Sequence, residues 1–326
     1  MLRKDWQMLL KNSIDRRRQM SWFGKRKNRL LELLPEVKGK YLPNELLSRY
    51  TWFGVGGPAE VMFCPEDNQD LSWFVKNKPY NLPVFVIGGG SNLLVRDGGI
   101  PGVVIRLDSK FYKKWSLENG CITCGAGLKN AELKKIMTEN QIGGLEFLVS
   151  IPGCLGGAVK TNAGCFGREL KDVLIGATII NGDGEEIEVT ADDFNLGYRC
   201  SYFPEEWIVT ALTLKVAPQA AEKTIQIIEE HKAYRQKSQP CNVKTAGSTF
   251  KNPEGLRAWE LIKKTGSNCL KVNGAEVSEI HNNFLINTGK ATAQDIEDLG
   301  NKIIENVKKE TSIVLEWEIK RVGVAK

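Results

Sequence analysis

Two glycine-rich stretches carry the first chemistry this sequence can do. Val84 to Val95 reads V-F-V-I-G-G-G-S-N-L-L-V, an apolar run that enters Gly88, Gly89 and Gly90 and then Ser91-Asn92. Only glycine takes positive φ freely and lets a ligand rest on bare backbone. Three in a row at a strand end therefore point amides at an anion, most simply a diphosphate. A tight turn without a ligand is the competing reading. The second stretch, Gly143 to Gly167, reads G-G-L-E-F-L-V-S-I-P-G-C-L-G-G-A-V-K-T-N-A-G-C-F-G. It holds too much glycine, with Pro152, to be one helix or strand, and suits close approach of backbone to something bound.

This is not the usual dinucleotide or nucleoside-triphosphate cradle. G-x-G-x-x-G would need glycine at Leu93, and no Lys-Ser/Thr follows as a P-loop requires. Gly54 to Ala59 imitates the fingerprint, but Pro58 and the run Ala59 to Phe63 read as turn and strand where a helix must open. Cys121-Ile122-Thr123-Cys124 has metal-type spacing, yet there is no second such pair and the only histidines are His231 and His281. No metal site is expected, and the eight cysteines read as free thiols of a reducing compartment. Near the C-terminus, Ile313 to Val322 alternates. Ile313, Leu315, Trp317 and Ile319 fall on one face and Glu316, Glu318 and Lys320 on the other.

The elements that must position these groups follow from periodicity. Helices are expected over 69–78 (capped by Asp67, Asn68 or Asp70), 130–140, 220–236, 256–264 and 293–308, the last with Thr292 as N-cap. Strands are expected at 84–87, 103–107, 122–126, 207–216, 283–287 and 313–322. Asn181-Gly182-Asp183-Gly184 between two apolar-alternating runs is a hairpin signal. Pro218 marks a change from strand-rich to mixed character, which suggests separate ligand and substrate modules.

With 326 residues, 42% hydrophobic and 26% charged, the chain reads as an ordinary soluble protein of two or three domains. No stretch approaches a membrane span, and the N-terminus lacks a signal-peptide core, so a cytoplasmic protein is expected. Residues 1–50 hold 13 Lys/Arg against 5 Asp/Glu, +8 of the net +6, leaving −2 for the rest. Arg16-Arg17-Arg18 and Lys25-Arg26-Lys27 could meet nucleic acid or an anionic membrane face. A solvated extension is the plainer reading, and nucleic acid is not expected as a partner.

Five separated stretches give the sequence a family likeness: G-G-G-S-N-L-L-V from Gly88, I-P-G-C-L-G-G-A-V-K-T-N-A-G from Ile151, Y-R-C-S from Tyr198, G-S-T-F-K-N-P from Gly247 and L-E-W-E-I-K from Leu315. In this order they resemble the UDP-N-acetylenolpyruvoylglucosamine reductases, flavoenzymes of bacterial peptidoglycan precursor synthesis. The resemblance implies an α+β fold. A vanillyl-alcohol-oxidase-type (PCMH-type) FAD-binding region of two lobes, about 46–110 and 111–217, would follow a basic extension over 1–45. A C-terminal α+β substrate domain would occupy 218–326. It implies non-covalent FAD, NADPH as reductant and UDP-N-acetylglucosamine enolpyruvate as the small-molecule substrate. Another FAD-dependent oxidoreductase of the same flavin fold, or a nucleic-acid role for the leader, are the alternatives.

The resemblance also distributes roles. Arg199, Ser248 and Glu318 are the expected catalytic residues: cation for the developing carboxylate charge, proton donor and active-site acid. FAD is expected at Gly88, Gly89, Gly90, Ser91, Asn92, Gly153, Gly156, Gly157, Asn162 and Gly164, with Gly56 and Gly57 as further candidates. Asn252, Tyr198, Arg235, Lys237, Lys251 and His281 are expected to hold the substrate. Only 49 positions separate Arg199 from Ser248, so the chain is similar to the shorter, second type that lacks a tyrosine-bearing substrate loop.

Overall fold

A computed structural model describes residues 29–326. The first lobe contains β1 (Lys40–Leu46), β2 (Pro58–Cys64), α1 (Asn68–Asn77), β3 (Val84–Val86), β4 (Leu93–Val95) and β5 (Ile100–Ile105). Its sheet has the order β1-β2-β5-β3, antiparallel at β1 and parallel across β2, β5 and β3. Val61, Met62 and Phe63 of β2 are all fully buried, as a strand covered on both faces requires. Asp67 caps α1, its carboxylate accepting from the Asp70 amide at 2.8 Å, and Leu71, Phe74 and Val75 turn inward.

The second lobe contains β6 (Trp115–Glu118), β7 (Cys121–Gly125), α2 (Leu133–Glu139), α3 (Leu155–Lys160), β8 (Leu174–Ile180), β9 (Glu186–Thr190), β10 (Ile208–Lys215) and α4 (Ala221–Ser238). Its five strands form an antiparallel sheet in the order β9-β8-β10-β7-β6. The expected hairpin is β8–β9, with the Asn181 side-chain Oδ1 accepting from the backbone amides of Asp183 and Glu185. The C-terminal domain packs α5 (Ala258–Lys264) and α6 (Ala293–Thr311) with a small sheet of β11 (Lys271–Val272), β12 (Ala275–Val277) and β13 (Leu285–Asn287). In α6, Thr292 and Asp295 form a capping box, and Ile296, Leu299, Ile303 and Val307 are fully buried. The chain then returns to the first lobe, where β14 (Lys320–Val322) pairs in parallel with β4.

Three sequence boundaries differ from this architecture. Residues 40–46 belong to the sheet as the edge strand β1; their polar composition, which reads as an extension, is that of an edge. The charged triplets of the leader lie outside the described residues. α4 is mostly polar, so it reads as the start of a new module, yet Thr224 and Ile228 are buried and Ile228 joins the second-lobe core; beyond α4 the C-terminal core starts at Ala246 and takes in Phe53, Val55 and Leu94 of the first lobe. The strand expected over 313–322 is regular only at β14. Before it the chain is extended, tied by a bridge from Trp317 to Phe250 and by the Glu318 amide donating to the Thr249 carbonyl at 2.8 Å. Among the described residues no helix is long and apolar enough to cross a membrane.

Candidate active site

One cavity of about 1350 Å³ lies where the two lobes and the C-terminal domain meet. Its first wall is the loop from β3 to β4. Gly90 has φ +63°, and a Cβ there would fall 1.8 Å from the Tyr50 carbonyl oxygen, so no other residue fits. The two glycine stretches touch: a Cβ on Gly89 would lie 2.7 Å from Gly153 Cα, and Ser91 Oγ donates to the Pro152 carbonyl at 2.8 Å. Gly88, Gly89, Gly90, Ser91, Asn92, Gly153, Gly156, Gly157 and Gly164 all line the cavity. Among the described residues no amide from Gly88 to Asn92 donates to another part of the chain. A run of ungiven amides on a wall without side chains fits the diphosphate of FAD.

A second part of the cavity, tied to the glycine wall, gathers charge. Arg199 Nε lies 3.2 Å from Glu318 Oε1, and Arg199 Nη2 donates to the Gly164 carbonyl at 2.7 Å. Burial pushes the Glu318 carboxyl above its ordinary range, against the pull of Arg199 and then Lys251. Ser248 lies on the same cavity, pairing with Phe284 across an isolated bridge, and its neighbour Thr249 holds the Glu318 backbone. Asn92 adds a tie from the glycine wall, its Nδ2 donating to the Glu318 carbonyl at 3.2 Å. An arginine, a hydroxyl and a half-buried carboxyl thus line the same cavity as the glycine amides.

Several expected residues stand elsewhere. A Cβ on Gly56 would meet Val95 and one on Gly57 the Asp97 carbonyl, so these glycines serve close packing inside the first lobe and do not line the cavity. The Asn162 side chain is fully buried and bonded within the protein. Asn252 Oδ1 accepts from the Ala258 amide at 3.0 Å at the start of α5. Lys251 pairs with Glu316 at 3.4 Å, and Lys237 and the half-exposed Tyr198 are outside the cavity lining, the Arg199 guanidinium lying 5.4 Å from the Tyr198 ring. His281 Nδ1 accepts from the Asn283 amide at 3.2 Å, and burial lowers its pKa. Arg235 does line the cavity, donating from Nη1 to the Ser150 carbonyl and from Nε to Gln239 Oε1 at 3.0 Å.

Among the described residues four lysines line the cavity, Lys78, Lys129, Lys160 and Lys320, and none is among the site residues expected from the sequence. Lys320 shares the alternating face of Glu318, so its signal was present. Lys160 was not legible, because what holds its Nζ, 4.0 Å from the centroid of the Phe203 ring, is a residue distant in sequence.

A family model described as FAD binding domain matches residues 59–190. With the amide-lined wall and the charged corner, this makes the chain an FAD-binding oxidoreductase. A second model, described as UDP-N-acetylenolpyruvoylglucosamine reductase, C-terminal domain, matches residues 239–322, beginning just after α4. The UDP-N-acetylenolpyruvoylglucosamine reductase of Bradyrhizobium sp. is 46% identical over 291 residues, 89% of this chain and 95% of that protein. The Parvibaculum lavamentivorans enzyme of the same name is 43% identical, covering 91% and 96%. The crystal structure of the Thermus caldophilus reductase superposes with a TM-score of 0.76 at 34% identity, covering 88% of this chain and 100% of that one. The chain belongs to the UDP-N-acetylenolpyruvoylglucosamine reductase family.

Proposed function

We propose that the protein reduces UDP-N-acetylglucosamine enolpyruvate to UDP-N-acetylmuramate with NADPH as reductant, as a cytoplasmic step of bacterial peptidoglycan precursor synthesis. Bound non-covalently along Gly88 to Asn92, Gly153, Gly156 and Gly157, FAD would supply the hydride for the β-carbon of the enolpyruvyl double bond. As that hydride arrives, negative charge grows on the α-carbon and its carboxylate. Arg199 meets it with a planar, permanently charged fork. Glu318, its carboxyl pushed upward by burial against the pull of Arg199, steadies the guanidinium at 3.2 Å as the acid of the site. Ser248 delivers the proton to the α-carbon, completing addition across the double bond.

The observation that carries this reading is the convergence of Arg199, Ser248 and Glu318 from three distant segments on the cavity that the glycine wall also lines. The test is an anaerobic titration followed at the flavin band near about 450 nm. NADPH should bleach the band and UDP-N-acetylglucosamine enolpyruvate should restore it. In Ser248→Ala, bleaching should persist while the return slows by about 10²- to 10⁴-fold. A normal return in that variant would remove Ser248 from the reaction.

A further inference from the structure

Arg199 stands on backbone that must be held in place. Its φ is +55°, a conformation bulky side chains rarely adopt. The turn that carries it is closed by reciprocal hydrogen bonds between Gly197 and Cys200, at 3.0 and 3.3 Å. From outside, Asn162 Nδ2 donates to the Gly197 carbonyl at 2.9 Å, and Ser201 Oγ donates to the Lys160 carbonyl at 3.0 Å. Asn162 is fully buried; its other amide hydrogen goes to Glu169 Oε2 at 3.1 Å and its Oδ1 accepts from the Lys171 amide at 3.0 Å. It has φ +40° itself, which asparagine tolerates better than most residues. Two residues on, the Gly164 carbonyl accepts from the Arg199 guanidinium. The segment 162–164 therefore holds both ends of Arg199: Asn162 its turn, Gly164 its side chain.

We infer that Asn162 is a positioning residue for Arg199, clamping the Gly197–Cys200 turn so that the guanidinium reaches Glu318 and the substrate. Both of its side-chain amide hydrogens are already given to the protein, so it has none to offer a cofactor. The inference rests on the reading of Arg199 as the cation that meets the substrate carboxylate.

The test is a double-mutant cycle on the FAD-loaded enzyme. Asn162→Gly keeps the backbone conformation and removes all three side-chain bonds. It should retain flavin and its reduction by NADPH, while reoxidation by UDP-N-acetylglucosamine enolpyruvate slows by about 10- to 100-fold. If Asn162 acts through Arg199, the variant Asn162→Gly/Arg199→Ala should be as slow as Arg199→Ala alone, within about threefold. Multiplying losses, or loss of flavin from folded Asn162→Gly, would overturn the inference. Should the glycine variant fail to fold, Asn162→Asp keeps the acceptor for Lys171 and removes the donor to Gly197, and the same cycle applies. Unchanged reoxidation in Arg199→Ala would instead overturn the role of Arg199 itself, and the inference with it.

Discussion

Gly88 to Asn92 reach the cavity as five consecutive residues, whereas Arg199, Ser248 and Glu318 reach it from three segments that only the folded chain brings together. The two walls are also held differently. The glycine wall is held by close packing: Gly89 against Gly153, Gly90 against Tyr50. The charged corner is held by hydrogen bonds and ion pairs between elements, Glu318 alone being tied through its amide, carbonyl and carboxylate. A wall set by backbone contact is intolerant of any added atom. A corner set by polar ties should lose geometry first and stability second.

Three substitutions press on that contrast. The largest effect is expected for Gly90→Ala, which combines positive φ with a Cβ at 1.8 Å from the Tyr50 carbonyl oxygen. It should destabilise the first lobe by about 3 kcal/mol or more and abolish flavin retention, read by thermal unfolding and the flavin-to-protein absorbance ratio. A flavin-loaded, stable Gly90→Ala would break the claim that packing sets this wall.

Next comes the clamp that returns the C-terminal chain to the first lobe. Glu297 of α6 takes both Arg96 Nη2 and Nε, at 2.8 and 2.9 Å, and Arg321 of β14 at 3.0 Å. The Arg96 hydrogen bond leads in holding its carboxyl below the ordinary range, against desolvation. A depressed carboxyl stabilises the fold above its unfolded value, about 4.3, and loses that contribution as pH falls through the folded value. Glu297→Gln should therefore cost about 2 kcal/mol at pH 7, a figure discounted because both arginines are about one-third exposed. Denaturant titration should show the gap closing as the pH drops below about 4. Flavin should stay bound while reoxidation slows, because β14 begins two residues after Glu318. Equal loss of both would mean that the two walls do not separate.

Gly157→Ala should be the mildest. It sits in α3 with only Cys154 Sγ near, at 3.8 Å, so a methyl meets no protein atom closely. Stability should change by less than about 1 kcal/mol. Isothermal titration with FAD should nevertheless show weaker binding by several-fold if a ligand rests on this backbone. Unchanged affinity would assign Gly157 to helix packing alone.

The contrast also explains what was legible. Glycine runs, the hairpin at Asn181 to Gly184 and the capping box at Thr292 are local, since their steric and hydrogen-bonding demands are met within a few residues. Alternation puts Glu316, Glu318 and Lys320 on one face, and only the family resemblance separates Glu318 from the other two; the extended chain keeps that period although the regular strand is confined to β14. His281, Asn252 and Asn162 carry polar side chains that look available in sequence. Their partners, the amide of Asn283, the amide of Ala258 and the carbonyl of Gly197, appear only when loops close. The edge strand β1 and the polar helix α4 were misread for a related reason: each buries little, so its own composition does not say which core it joins.

By itself the sequence determined the anion-suited backbone, the order of the motifs and the absence of a conventional dinucleotide fingerprint, because conformational freedom at glycine and period-two alternation are properties of residues and their neighbours. Only the tertiary structure decided that Gly89 rests on Gly153, that Arg199 reaches Glu318, and that Asn162 faces the Arg199 turn. Those are contacts between residues far apart in the chain, and their geometry is fixed by how the cores pack.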